Sequence, residues 1–312
     1  MFYQIFFIIF LLGGCSHIGI KTDSNDFSKL TKALHIVENY YVEKIELSTL
    51  MTYALNNKFN DFNRINNKTE LYKNFMLHIK SMQKINNYTH NEIFVIVLKN
   101  LMNHLDKYST YLDKSSIKTI KMKQFTYSLL DKKLLYIKVS TFTHQTADNI
   151  RNAIKAHTDK SIILDLRNNF GGSFNAAIET VDLFVDRGII VRKRGQDLKN
   201  TTTYTATSQN FLSTAPLVIL VNKNSASSSE IVSGALQNLH RATIIGTKTF
   251  GKGTIQALIP IDKKNNEYIK LTTARYYLAN RKSIDEKIIP DIEALENKNQ
   301  LLIAIDFLTS QT

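Results

Sequence analysis

The sequence predicts an α/β fold preceded by a mostly helical region, and three observations lead to this prediction. Between residues 134 and 246, short apolar runs alternate with segments whose apolar residues recur at helical spacing. Such alternation is typical of parallel strands joined by right-handed helical crossovers. Residues 27–105 carry helical periodicity, whereas two strand-like runs after residue 253 predict an added β-sheet.

Turn residues and changes of periodicity bound the individual elements. Helices are predicted within residues 27–60 and 67–105 and at 145–157, 174–186 and 227–239. Strands are predicted at 134–142, 161–166, 188–194, 216–222, 242–246, 254–260 and 267–278.

The N-terminus resembles a bacterial lipoprotein signal. The apolar run from Ile5 to Leu12 is shorter than the roughly 20 residues that span a bilayer, but it fits a signal peptide. The following Gly13 and Gly14 precede Cys15, which is the single cysteine of the chain, although no Lys or Arg stands ahead of the run. We therefore expect a signal peptide at 1–14, lipidation of Cys15, a tether at 15–26 and a periplasmic-side location on the cell envelope.

Composition favours a globular protein with a buried core and no disulfide bond. Apolar residues make up 43% of the 312 residues and charged residues 21%, which argues against intrinsic disorder. The formal net charge is +13. Basic side chains are spread along the chain without an arginine-rich, aromatic-interleaved helix, so we expect a solvated surface near an anionic membrane and no nucleic-acid partner.

A serine-rich segment, residues 225–229, stands between the predicted strand 216–222 and the helix 227–239. A hydroxyl at a helix N-terminus lies near unpaired N–H groups, which can stabilise an oxyanion. The segment is thus a candidate nucleophile, but serine runs also cap helices without any chemistry. The residues themselves do not choose between the two interpretations.

Lys252 stands between two glycines and is a candidate general base. A lysine accepts a proton only when it is neutral, so its pKa must fall by about 3 units from about 10.4, which burial can cause. The alternative is a surface lysine in a turn. The spacing of Gly246, Gly251 and Lys252 also approaches a phosphate-binding loop, but Gly253 replaces the required Ser or Thr and a strand is predicted to follow.

A third segment, residues 164–172, ends a predicted strand with Gly171 and Gly172. Backbone N–H groups at such a turn can bind an oxyanion, and glycine tolerates the required dihedral angles. A plain strand-to-helix turn is the alternative. No histidine pair or carboxylate cluster has the spacing of a metal site, so neither metal nor cofactor is expected.

These segments, in this order, resemble the C-terminal processing peptidases, also called tail-specific proteases, of the S41 type. The similarity extends over residues 134–293 and includes the motifs ILDLRNNFGG, NSASSSEIVSGAL and GTKTFGKGTIQ. The resemblance implies a crotonase/ClpP-like catalytic domain at 116–312 behind a helical region at 27–115. It also implies a serine endopeptidase that acts on envelope or periplasmic proteins.

Residue roles follow from the resemblance. It implies Ser227 as nucleophile, Lys252 as base and Gln256 as the residue that orients the lysine amine. Backbone N–H groups of Ser228 and of the Gly171–Gly172 turn would form the oxyanion hole. A Ser-His-Asp triad is the weaker alternative, because His240 is predicted beyond the far end of the helix that begins at Ser227.

The chain departs from the family pattern ahead of the catalytic strands. Only residues 113–133 stand where members usually carry a PDZ domain, which captures a substrate's C-terminus by strand addition. We therefore expect no PDZ domain, and a possible adaptor in its place. The competing hypothesis is a catalytically silent or adaptor-dependent, peptide-binding lipoprotein of the same fold. The oligomeric state is not predicted.

Overall fold

A computed structural model describes residues 25–58, 61–116, 124–130, 133–197, 201–280, 283–295 and 299–310. The predicted signal peptide at 1–14, Cys15 and the tether up to residue 24 lie outside the described residues. Within the described part, no helix combines the length and the apolarity that a membrane crossing requires.

Eight α-helices are described: α1 Asn25–Tyr40, α2 Leu47–Ala54, α3 Lys68–Asn86, α4 His90–Leu105, α5 Thr146–Lys155, α6 Phe174–Asp182, α7 Ser228–Asn238 and α8 Gln300–Thr309. The described strands are β1 Thr110–Leu112, β2 Phe125–Leu129, β3 Leu134–Val139, β4 Ser161–Asp165, β5 Ile189–Arg194, β6 Thr202–Thr205, β7 Leu217–Val221, β8 Thr243–Gly246, β9 Thr254–Asp262, β10 Glu267–Tyr277 and β11 Ile292–Glu293.

The chain divides into two compact units. The α/β unit comprises the described residues within Ile120–Thr254 and Arg275–Thr312. The helical unit comprises those within Phe7–Thr119 and Ile255–Ala274. The division differs from the boundary expected from sequence, because most of β9 and β10 groups with the N-terminal helices.

The helical unit is formed by α1–α4 with β1, β9 and most of β10. Its helices begin at sequence-encoded caps: the Asn67 side chain accepts from the first turn of α3, and Thr89 and Glu92 form a reciprocal capping box on α4. Strand β1 pairs antiparallel with β10, and Tyr111 contacts Phe94 edge-on at 5.9 Å. The helical prediction for residues 27–105 is confirmed.

The α/β unit contains a six-stranded sheet in the order β11-β8-β7-β4-β3-β2. Four of its pairings are parallel, and only the edge pair β2–β3 is antiparallel. Strands β4 and β7 are buried throughout, as their continuous apolar sequences require. The predicted α/β fold is confirmed, whereas β2, β6 and α8 were not predicted from the sequence.

Helix α8 covers one face of this sheet, where a buried cluster includes Ile163, Val218 and Ala304. Helix α6 ends at Asp182, earlier than predicted. The buried Asp182 carboxylate accepts hydrogen bonds from Thr207 N at 2.5 Å, Thr207 Oγ1 at 2.9 Å and Asn210 Nδ2 at 2.6 Å. The carboxylate thereby fastens a distant loop at this helix end.

The carboxyl end of β4 carries a buried charge cluster. Asp165 is 1% exposed and accepts from Lys138 Nζ at 3.0 Å, Arg167 Nη2 at 2.6 Å and Tyr136 Oη at 2.7 Å. Burial alone would raise the pKa of Asp165, but hydrogen bonds from Arg167 and the charges of Lys138 and Arg167 outweigh it. The pKa of Asp165 therefore lies below its ordinary value.

Replacement of Asp165 by Asn is expected to lower the free energy of unfolding by about 3 kcal/mol at pH 7, because two half-buried cations lose their counter-charge. The depressed pKa makes this stabilisation complete above about pH 4 and lost as the pH falls through the folded-state value. Urea denaturation at pH 7 and pH 3 measures the difference.

Asp159→Asn is the matched control for this prediction, because Asp159 is exposed and forms an ion pair with the neighbouring Lys160. Its expected effect on the free energy of unfolding is much smaller, because solvent screens an exposed ion pair. Equal destabilisation by the two variants at pH 7 would contradict the account of the Asp165 cluster.

Candidate active site

Three of the four serines in residues 225–229 use their hydroxyl groups to fasten two loops of the α/β unit. Each donates to a backbone carbonyl between residues 166 and 173. The bonds run from Ser225 Oγ to Leu166 O at 2.8 Å, from Ser228 Oγ to Gly172 O at 3.1 Å and from Ser229 Oγ to Asn169 O at 2.8 Å. All three serines are buried, so they are structural.

Ser227 differs from its neighbours in exposure and in backbone conformation. It is partly exposed and precedes α7 with φ 56° and ψ −114°, a conformation that is strained for a residue with a side chain. Its side chain faces the phenol of Tyr276, where it partly offsets the effect of burial on the pKa of that phenol. Among the four serines of residues 225–229, Ser227 is therefore the one whose hydroxyl does not donate to the carbonyl groups between residues 166 and 173.

Tyr276 belongs to an aromatic cluster beside Ser227. Its ring stacks on Phe174 at 5.2 Å between centroids, and Phe174 meets Tyr204 edge-on at 5.1 Å. Burial raises the pKa of Tyr276 above its ordinary value, so the phenol stays neutral at physiological pH. Sequence reasoning did not single out Tyr276, because its place in this cluster depends on contacts with residues that are distant in the sequence.

The turn after β4 lies directly against the serine-rich segment, residues 225–229. A Cβ placed on Gly171 would stand 2.9 Å from the Cβ of Ser227 and 3.2 Å from Ser228 N, so only glycine allows this approach. The buried Asn169 shapes the turn, because its Oδ1 accepts from Gly171 N at 2.8 Å and its Nδ2 donates to Val139 O at 3.0 Å.

The predicted oxyanion donors are distinguished by their hydrogen bonds. The Gly171 N–H already donates to the Asn169 side chain. Among the described residues, the Gly172 and Ser228 N–H groups make no such bond. The N–H groups of Gly172 and Ser228 are therefore better candidates for the predicted oxyanion hole than the N–H group of Gly171.

Lys252 is partly buried in a loop, residues 249–253, in which every backbone N–H group donates a hydrogen bond. Five successive N–H groups, from residue 249 to residue 253, donate to fixed acceptors. The acceptors are, in order, Ile288 O at 3.2 Å, Ser225 O at 3.0 Å, Glu230 Oε1 at 2.7 Å, Glu230 Oε2 at 2.9 Å and Asp285 Oδ1 at 2.8 Å. The loop lacks regular structure but is rigidly placed.

The carboxylate of Glu230 joins the serine-rich segment to the loop of residues 249–253, called the lysine loop from here on. Its Oε2 accepts from Ser227 N at 2.8 Å and from Lys252 N at 2.9 Å. The two nitrogens are therefore no farther apart than the sum of these distances. Glu230 is 0% exposed and was not recognised from the sequence, although its position three residues after the helix N-cap matches a capping box.

Gln256 lies in β9 and belongs to the helical unit, where its Nε2 donates to Thr272 Oγ1 at 3.3 Å. Its role in orienting the lysine amine stays a prediction.

Two alternatives are weakened by the described elements. Strand β9 begins at Thr254, so the segment after Lys252 does not form the helix that a phosphate-binding loop requires. Ser227 and His240 stand at opposite ends of α7, which rules out direct contact within this fold. Across the described ranges, no three His, Cys, Asp or Glu side chains gather as metal ligands would.

Comparison with known proteins identifies the family. The model of peptidase family S41 matches residues 133–294, which is more than half of the chain. The chain belongs to peptidase family S41. The resemblance predicted from the three motifs is thereby confirmed.

Curated S41 relatives share the same segment. The carboxy-terminal-processing protease of Bartonella bacilliformis is 41% identical over 165 residues, covering 50% of this chain and 38% of that protein. The chloroplastic carboxyl-terminal-processing peptidase 2 of Arabidopsis thaliana is 36% identical over 168 residues, covering 51% and 31%. The chain thus matches well under half the length of these relatives.

Solved structures share the fold over more of the chain. The photosystem II D1 C-terminal processing protease aligns with a TM-score of 0.64 at 17% identity, covering 88% of this chain and 94% of its own. A lipoprotein from Streptococcus agalactiae aligns with a TM-score of 0.68 at 15% identity, covering 94% and 99%. At these identities the likeness concerns the fold alone.

Gly172→Ala is expected to lower the free energy of unfolding by about 2 kcal/mol or more, because φ is +143° and the new Cβ would stand 2.1 Å from Phe142 O. Gly234→Ala, within α7, is the matched control, since its Cβ would meet only the movable ends of Ile288 and Leu278. Thermal unfolding of both variants measures the difference. A Gly172→Ala variant as stable as Gly234→Ala would show that the turn is not constrained.

Proposed function

We propose that this chain is a serine endopeptidase in which Ser227 is the nucleophile and Lys252 the general base. The observation that carries the proposal is the shared acceptor: one oxygen of Glu230 binds the backbone N–H groups of both residues. Membership of peptidase family S41 and the separate position of Ser227 within the serine run support the same assignment.

The reaction begins with attack of Ser227 Oγ on the carbonyl carbon of the scissile peptide bond. The neutral amine of Lys252 takes the hydroxyl proton, and the N–H groups of Gly172 and Ser228 stabilise the negative charge on the carbonyl oxygen. The Lys252 ammonium then protonates the leaving amine, which departs and leaves an acyl-enzyme. Water, deprotonated by Lys252, hydrolyses the ester and restores Ser227.

The local surroundings suit this chemistry. Ser227 is partly exposed at the start of α7, where the positive end of the helix dipole favours a developing oxyanion. Gly172 leaves no side chain between the turn and the reacting carbonyl. The lysine loop is held by five backbone hydrogen bonds, which lowers the cost of placing the amine.

Cleavage of an unfolded protein such as casein tests the proposal. Ser227→Ala and Lys252→Ala are expected to reduce the initial rate by at least about 1,000-fold while the circular dichroism spectrum stays that of the wild type. Cleavage by purified Ser227→Ala at the wild-type rate would overturn the assignment.

Two matched controls accompany these variants. Ser233→Ala removes a buried hydroxyl that bonds within α7, and Lys248→Ala removes an exposed lysine of the neighbouring loop. Both are expected to retain cleavage within about twofold. If the wild type cleaves only after addition of a cell-envelope extract, the enzyme requires an adaptor, and Ser227→Ala must still abolish that cleavage.

We further infer that the enzyme is anchored by lipid on Cys15 and acts on proteins of the cell envelope. The lipobox-like residues 12–15 and the formal charge of +13, which favours an anionic membrane surface, support this location. Cys15→Ser is expected to move the protein from the membrane pellet to the soluble fraction. Equal membrane fractions for wild type and variant, compared by immunoblot, would contradict the anchor.

A further inference from the structure

The Glu230 carboxylate accepts more hydrogen bonds than a glutamate that only caps a helix. A capping glutamate accepts from the N-cap N–H, as Glu230 does from Ser227. Three additional donors come from the lysine loop: Thr249 Oγ1 at 2.6 Å, Gly251 N at 2.7 Å and Lys252 N at 2.9 Å. The side chain therefore joins two segments that are 22 residues apart in sequence.

The donor set requires a carboxylate at this position. Three of the four donors are backbone N–H groups, which cannot accept a hydrogen bond. A carboxamide of the same size would turn its NH₂ group toward at least one of these N–H groups and leave it unpaired. Since Glu230 is fully buried, no solvent can replace the lost bond.

The arrangement has a consequence for the reaction. Ser227 and Lys252 share Oε2, so a change at that oxygen moves the backbone of the nucleophile relative to the backbone of the base. A displacement of about 1 Å between reacting groups can lower a rate about 100-fold. Asn169 and Gly171, which form the neighbouring turn, make no hydrogen bond to the Glu230 side chain among the described residues; the turn is held by Asn169 Nδ2 donating to Val139 O and Gly171 N donating to Asn169 Oδ1.

We propose that Glu230 is a positioning residue of the peptidase site. Through the oxygen that accepts from both backbone N–H groups, it holds Ser227 and Lys252 in the relative position that the reaction needs. This inference rests on the proposed function. It assigns to Glu230 an effect on turnover that is separate from its contribution to stability.

Kinetics of Glu230→Gln with a quenched fluorescent peptide test the inference. We expect kcat to fall about 100-fold and KM to change by less than about threefold, at a temperature where circular dichroism shows the variant folded. Asp182→Asn is the matched control, because Asp182 is another buried carboxylate with three donors and lies at the end of α6 farther from the Gly171–Gly172 turn. It is expected to lose stability but to retain kcat within about twofold.

A second pair of variants applies if Glu230→Gln does not fold. Thr249→Val removes one of the two donors to Glu230 Oε1 and is expected to lower kcat about 10-fold. Thr249→Ser keeps the hydroxyl and is expected to retain the wild-type kcat. Unchanged kcat in Glu230→Gln, an equal kcat loss in Asp182→Asn, or equal kcat in the two Thr249 variants would overturn the inference. Cleavage by Ser227→Ala in the same assay would instead refute the proposed function.

Discussion

Buried backbone N–H groups must find acceptors, and this requirement shapes the candidate site more than any other interaction. The loop of residues 249–253 forms neither helix nor strand, yet each of its N–H groups has an acceptor. Two of the five acceptors are the oxygens of Glu230. Removing that carboxylate would orphan donors in both the loop and the helix N-terminus, so the two segments are fixed as one piece.

The parallel sheet explains why these segments meet. Strands β4 and β7 are neighbours, and their carboxyl ends release the chain at the same edge of the sheet. The turn after β4 and the serine run after β7 therefore leave side by side. Hydroxyl groups of Ser225, Ser228 and Ser229 bridge the two loops, which converts a serine-rich sequence into a structural clamp. Ser227 alone within this described run stays outside it.

Much of the fold and part of the candidate site could be predicted from the sequence, because local sequence patterns encode them. Apolar runs identified the central strands, and the glycines after Asn169 identified the turn. The family motif, not the hydroxyl chemistry, distinguished Ser227 from its three neighbours. Ser228 illustrates the reason: in the folded chain its hydroxyl donates to Gly172 O, a contact that no local pattern reveals.

Long-range contacts account for what sequence reasoning missed. Glu230 resembles an ordinary capping residue until the lysine loop is placed against it, and Tyr276 resembles any strand residue until its phenol faces Ser227. The grouping of Ile255–Ala274 with the N-terminal helices likewise depends on tertiary packing. Periodicity reports which residues are buried but not which partner buries them, so such roles emerge only from the folded chain.

The strain at Ser227 is opposed by the hydrogen bonds of its own backbone. A non-glycine residue at φ 56° and ψ −114° is unfavourable by about 1–3 kcal/mol. Opposing this cost, Ser227 N donates to Glu230, and Ser227 O accepts from Glu230 N at 2.8 Å and Ile231 N at 3.0 Å. Because Glu230 accepts hydrogen bonds from Ser227 N and from three donors of the loop of residues 249–253, the same carboxylate holds the strained residue and that loop together.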